Sequence, residues 1–325
     1  LNLWQALQPH LAPFCRLELC DQALQQRVSF LGGDLPSRPG AGAAEAVGWI
    51  LQHRPLMALL LQELERQPRL DLHLGDAAGP GSAEGVDLEV AADGHHSPRR
   101  RAAGIRHWHR PYRQGCLTVQ VRLRGSQPDQ AWELFRPEGP FAVLPLGDDA
   151  FQLVWSAPLP RLQQLEALEP AAFLDALSAA LPEQLQAEVL LDRPRAFPVA
   201  LDWAWPLQRK GVVLVGEAAH RSHPVGGQGL NLCWRDVAVL QQLAARTASG
   251  RLPLLQLPRR YAARRWLDIA LVLLATDALV RLFSNRQPLL LTLRRLVLAL
   301  LGRFTWLRAV SLSAMSDGPC RLRWP

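Results

Sequence analysis

Lysine is almost missing from this chain: Lys210 is the single lysine among 36 Lys and Arg residues, which stand against 29 Asp and Glu and leave a net charge of +7. Tyrosine occurs only twice, and no nucleic-acid recognition motif accompanies the positive charge. Nucleic acid therefore ranks last among the anionic partners such a charge could serve, behind a membrane surface or a phosphorylated cofactor. An arginine-for-lysine bias also follows from a GC-rich genome. Cysteine is sparse. Cys15, Cys20, Cys116, Cys233 and Cys320 are odd in number and form no CxxC pair. That pattern excludes a zinc-ribbon or disulfide framework and points to a reducing, cytoplasmic compartment. Long apolar runs are lacking too. The longest, Ile269–Ala275, falls far short of the roughly 20 residues that cross a bilayer. No basic segment precedes an apolar one at the start, so no signal peptide is predicted. The chain opens on Leu1 rather than Met and reads as one entered partway through a domain. A phosphate-binding GxGxxG is likewise not found: Gly32, Gly33, Gly40 and Gly42 sit in a Pro/Ser-rich stretch that reads as a loop.

What is present is enough apolar sequence, 49% of 325 residues, for one large domain or two interleaved ones. The most informative stretch is Gly211–Leu240, GVVLVGEAAHRSHPVGGQGLNLCWRDVAVL. Val212–Val215 predicts a buried strand of a parallel sheet. Gly216 ends it and Glu217 follows at its C-terminal edge. After Gly226, Gly227, Gln228 and Gly229 the spacing turns helical, with Leu232, Val237, Leu240 and Leu243 expected on one apolar face. A strand, a glycine turn and a helix N-terminus together offer free N–H groups and a positive dipole end to an anionic ligand.

The pattern GxAAHxxHPxGGQGLNLxxxD over residues 216–236 resembles the flavin-contacting motif of the class A FAD-dependent aromatic hydroxylases. Its nearest likeness is to the ubiquinone-biosynthesis branch of the 2-octaprenyl-6-methoxyphenol hydroxylase type. The resemblance implies an FAD site made of Gly216, Glu217, His220, Pro224, Gly226, Gly227, Gln228, Gly229, Leu230 and Asn231. Glu217 stands where the family usually has Asp, and its carboxylate would hold a ribityl hydroxyl from one bond farther out. The ADGxxS sequence from Ala92 resembles the family's second fingerprint, adding Asp93 and Gly94. Arg54, at the start of a strand-then-helix segment (46–66), is the candidate for a further FAD contact, or else an exposed helix-terminal arginine. NAD(P)H is implied as co-substrate and an aromatic or prenylated quinone precursor as substrate. No catalytic side-chain nucleophile and no metal site is expected, since no carboxylate or cysteine completes a set with His220 and His223.

The implied fold is α/β: a three-layer, Rossmann-like FAD/NAD(P)-binding domain without its first βαβ unit, interleaved with an antiparallel-sheet substrate domain and followed by C-terminal helices. The expected boundaries are 1–104 and 201–250 for the FAD-binding part, 105–200 for the substrate sheet and 251–325 for the helices. Within them, 69–97 predicts one small strand, a Gly/Pro/Ser loop and then an apolar strand ending in Ala91-Ala92-Asp93-Gly94. Leu117–Leu123 alternates like a strand, Gly139–Trp155 predicts a hairpin turning at Gly147–Asp149, and 161–190 looks helical. The tryptophans, eleven in all, read either as the lining of an aromatic pocket or, for most of them, as core packing. Arg99–Arg101 reads either as a patch for nucleotide phosphates or as a solvated basic loop. Leu289–Trp306 mixes leucines with Arg294, Arg295 and Arg303; it reads either as a helix on the inner face of a membrane or as one packed on the sheet. Three broader functions compete: an FAD-dependent monooxygenase, a truncated, non-catalytic remnant of the family with weak or no FAD binding, and a peripheral membrane-binding protein driven by the C-terminal basic helices.

Overall fold

The computed structural model describes residues 3–35, 46–75, 85–285 and 287–321. Gly40 and Gly42 of the glycine-rich stretch lie outside them, while Gly32–Asp34 forms a short 3-10 turn. The chain divides into two units, one built from 1–77, 115–197 and 286–308, the other from 78–114, 198–285 and 309–325. Two of its five passages between them lie inside long strands, Arg106–Arg124 and Arg195–Trp205.

The first unit is dominated by a twisted sheet. Its apolar alternation is that of strands with one face in the core. Gly139–Gly147 and Ala150–Pro158 form the expected hairpin, with Phe141 opposite Trp155 and Asp148 at the turn in a left-handed conformation. Gln130–Arg136 pairs antiparallel with the first of these through Trp132 and Val143. Arg16–Asp21 runs parallel to Gln130–Arg136 and antiparallel to Gln26–Leu31. Trp132, Phe141, Trp155, Leu162, Phe173 and Leu177 share the core. The helical expectation for 161–190 holds for Leu159–Glu166 and Pro170–Ser178 only. Gln186–Leu190 is a strand beside Arg106–Arg124, because Pro182 stops the helical run and the sheet edge supplies partners. No strand forms over 69–75. His53–Glu65 is a helix that buries Leu56, half-buries Leu59 and Leu60 and exposes Leu64.

The helix expected over Leu289–Trp306 stops at Arg303 and is followed, after a bend of 100°, by Thr305–Ser316. Its Arg294 is fully buried and ion-paired to Asp21, with Nε–H donating to Oδ2 at 2.7 Å. Among the described residues no single helix is long and apolar enough to cross a membrane.

The second unit holds a three-stranded sheet in which Val212–Leu214 lies parallel to Glu89–Ala91, as Leu214 against Ala91, and antiparallel to Gln208–Arg209. Two helices, Gln228–Ala248 and Leu257–Phe283, pack their apolar faces into the same core. The first is rotated from the face the apolar spacing predicts. Val237 is exposed and Leu240 half-buried, while Leu232, Asp236, Val239 and Leu243 point inward. A buried carboxylate can hold that inward position because its partners are supplied in full, as shown below. The tryptophans also depart from expectation. Trp132 and Trp155 are buried, whereas Trp4, Trp49, Trp108, Trp205, Trp234, Trp266 and Trp306 are exposed.

Candidate cofactor site

The site grows from the C-terminal ends of the two parallel strands, where α/β sheets bind their ligands. Val215 N–H donates to the Ala91 carbonyl at 3.0 Å, so the segments that follow leave the sheet side by side. Both turn at glycines in left-handed conformations, Gly94 at φ +81° and Gly216 at φ +62°. Beyond Gly94, Ser97 caps the helix Pro98–Ala102 by accepting from Arg100 N–H at 2.9 Å. Asp93 Oδ2 accepts from Arg99 N–H at 3.1 Å. Arg100 is buried, and its guanidinium donates to the carbonyls of His95 and Ala218, both at 2.7 Å. One arginine thus staples the segment after Asp93 to the segment after Gly216. Neither expectation for the basic run describes it: Arg99 is paired with Glu89 at 3.1 Å, Arg100 is a strut, and only Arg101 is exposed. Glu217 is exposed, with its carboxylate 3.8 Å from His95 Nδ1.

The second half of the site is the glycine turn before the helix Gln228–Ala248. Gly226 and Gly227 adopt φ of +69° and +61°, and Gly227 is the N-cap with no side chain bonding the helix's first N–H groups. A Cβ built at Gly227 or Gly229 meets nothing within 4 Å, so the backbone is open to a ligand at close approach. Gln228 turns inward, its Nε2–H donating to the Gly226 carbonyl at 3.0 Å, and its Oε1 is buried without a partner. Leu230 is exposed; Pro224 and Asn231 are half-buried.

His223, which precedes the turn, is fully buried and lies edge-on to Tyr112. Its Nδ1 accepts from Val225 N–H at 3.2 Å, which places the neutral ring's proton on Nε2, an atom with no hydrogen-bond partner. Burial pushes its pKa down to about 4, against a smaller opposing pull from Asp277. Tyr112 O–H donates to Asp277 Oδ1 at 3.0 Å, and Arg110 and Arg281 pair with the same carboxylate.

A buried charge network fixes the turn at Gly216. Asp236 accepts from Gly216 N–H at 2.9 Å, from His220 Nε2 at 2.7 Å and from Arg265 Nε at 2.6 Å. Burial alone would raise its pKa; His220, Arg265 and the Gly216 amide together hold it below the usual carboxylate value. Arg265 also donates to Asp268, which accepts from Arg235 as well. Tyr261 O–H donates to the Leu214 carbonyl at 3.0 Å. His220 is therefore a structural member of the motif, packed and bonded on the helix side.

These features fit FAD. An uncapped helix N-terminus and left-handed glycines with open approach suit an anionic, flat group. The unpartnered Gln228 Oε1 and His223 Nε2 leave a buried acceptor and donor for it. The candidates from 216 to 231, with Asp93 and Gly94, are brought together in the second unit, whereas Arg54 lies in the first, exposed in the opening turn of its helix. Sequence reasoning missed His223, Arg100, Asp236 and Arg265 as site-building residues. Asp236 stands in the motif itself, whereas Arg265 lies 29 residues beyond it, where nothing local marks it.

Known proteins place the chain consistently. A family described as FAD binding domain matches residues 85–257, more than half of the chain. The 3-demethoxyubiquinol 3-hydroxylase of Escherichia coli is 30% identical, over 91% of this chain and 78% of its own length. The human ubiquinone biosynthesis monooxygenase COQ6 is 30% identical over 71% of this chain and 56% of its own length. Among solved structures, PqsL of Pseudomonas aeruginosa, a probable FAD-dependent monooxygenase, superposes with a TM-score of 0.69 at 19% identity, covering 88% of this chain and 83% of that one. The p-nitrophenol 4-monooxygenase PnpA of Pseudomonas putida gives 0.73 at 14% identity, covering 99% and 85%. The glycine turn, its buried Asp236 clamp and these likenesses agree: the chain belongs to the FAD-dependent monooxygenases that include the ubiquinone-biosynthesis hydroxylases.

Proposed function

We propose that this chain hydroxylates an electron-rich aromatic ring of a quinone precursor, using NAD(P)H and O₂ as co-substrates, at an FAD held by the turn from Gly216 to Asn231. The observation that carries this reading is the uncapped helix N-terminus at Gly227, open to a ligand in the same unit as the Asp93–Gly94 turn. FAD is the cofactor of this family, and when bound it supplies the redox chemistry with oxygen. The protein's own contribution is positional and electrostatic. The N–H groups and positive dipole at Gly227–Gly229 stabilise negative charge on the group bound against them. Asp236 holds the Gly216 amide, and Arg100 holds the two fingerprint segments at fixed spacing. Gln228 Oε1 and neutral His223 Nε2–H complete polar contacts in a dry setting. The quinone-precursor substrate is supported by the printed activities of the related hydroxylases, and a prenylated one would place the chain peripherally on the inner face of a membrane. Those activities favour an active hydroxylase over a remnant.

The test is to purify the chain and record its visible spectrum with and without added FAD. Oxygen uptake and NAD(P)H oxidation are then measured with quinol precursors. Flavin bands, with oxidation that rises on adding a phenolic precursor, support the reading. A protein that stays colourless with excess FAD would sink it.

A further inference from the structure

The helix Pro288–Arg303 is amphipathic the wrong way round for a helix that faces only water. Its inner face carries Arg294, which is fully buried against Asp21, together with Leu298. Its outer face carries Leu289 at 81% exposure, Leu293 at 47%, Leu296 at 56% and Leu300 at 37%. Spacings of four, three and four residues set these leucines in one stripe along the helix. Arg295 and Arg303 are exposed at its margins, and Phe304 and Trp306, both exposed, follow where the helix ends. There is no acidic residue from Pro288 to Ser316.

We propose that this leucine face lies on an anionic lipid surface, with Arg295 and Arg303 meeting the headgroups and Phe304 and Trp306 seated at the interfacial level. This rests on, and sharpens, the reading of a lipid-borne substrate. Charge selects the occupant. The stripe has cations and no acid, so it complements an anionic surface, whereas a second copy would bring like charges together. The helix lies on the surface and does not cross it, since it spans only Pro288–Arg303 and the chain bends by 100° beyond it. Leucines facing outward with arginines beside them and aromatics at one end are the composition of an interfacial helix.

The chain is to be sedimented with vesicles of phosphatidylcholine alone and with vesicles containing phosphatidylglycerol. Binding to the anionic vesicles only, weakened by salt, is expected. Leu293→Gln with Leu296→Gln should lower partitioning by roughly tenfold or more, as expected from removing two leucines from the buried stripe. Arg295→Glu with Arg303→Glu should weaken it comparably and abolish the salt dependence. Neither pair touches the flavin turn, so the circular dichroism spectrum and flavin absorption of both variants are expected to match the parent. The proposal is overturned if the parent chain ignores anionic vesicles. Unchanged binding by the leucine variant, or a concentration-dependent dimer by light scattering that this variant dissolves, overturns it as well. A colourless protein that still binds vesicles through the stripe refutes the flavin reading alone.

Discussion

Removing the charge of Asp236 tests whether the turn under the cofactor site is held electrostatically. In Asp236→Asn one carboxylate oxygen becomes an NH₂. The group then faces either Arg265 Nε or the pair formed by Gly216 N–H and His220 Nε2, all of them donors in the native arrangement. One side of the network is thus left donor against donor. Arg265, itself buried, keeps only Asp268 as its anionic partner. Breaking a buried ion pair by removing one charge costs about 3–5 kcal/mol. For a chain of this length, unfolding entropy near Tm is on the order of 0.7 kcal/mol/K, at about 2.1 cal/mol/K per residue. A loss of about 4 kcal/mol therefore lowers Tm by roughly 6 °C. Differential scanning calorimetry reads this directly, and flavin fluorescence titration reads the second effect, a weaker FAD affinity as Gly216 loses its anchor. Asp268→Asn is the internal control: Arg265 then retains Asp236, and the turn keeps its bond, so affinity for FAD should change little. An Asp236→Asn protein melting within about one degree of the parent would refute the claim that this carboxylate clamps the site.

Two further outcomes follow from the same geometry. Gly227→Ala places a Cβ on a left-handed residue, at a cost of about 1–2 kcal/mol, and into space open to the ligand; FAD titration should show an affinity loss larger than the stability loss, and unchanged affinity would argue against close approach at this turn. His223 is held neutral by burial, with its pKa lowered to about 4. The unfolded chain, with an ordinary histidine near 6.5, binds the extra proton first, so stability is full above that value and is lost as pH falls toward 4. The loss attributable to this residue is on the order of 3 kcal/mol. His223→Gln should flatten that part of a stability-versus-pH curve measured by urea unfolding, and an unchanged slope between pH 6.5 and 4 would refute the assignment.

The parts of the site legible in the sequence were those governed by backbone requirements. Gly94, Gly216, Gly226 and Gly227 were identifiable because a left-handed turn next to an apolar strand admits little else, and all four adopt positive φ. What stayed hidden depended on partners remote in sequence. Arg100 looked like one of three equivalent surface cations, since nothing local says that its guanidinium meets Ala218, 118 residues away. Asp236 reads as the polar side of an amphipathic helix until Arg265 and His220 are brought to it, and that misreading also rotated the expected apolar face toward Val237. Arg294 was misleading for the same reason. The helical run through 161–190 failed at Gln186–Leu190, where pairing with a neighbouring strand outweighs local propensity.

The bond between Asp21 and Arg294 joins residues 273 positions apart. During synthesis the carboxylate of Asp21 emerges long before Arg294, on a strand that already has its antiparallel neighbour Gln26–Leu31 close by in sequence. Its buried counter-charge leaves the ribosome 273 residues later. Until then the sheet carries an uncompensated anion at a position that is dry in the finished protein, which disfavours early closure there. Arrival of Arg294 removes that obstacle, so the outer helix acts as a late latch on a sheet whose strands were made much earlier.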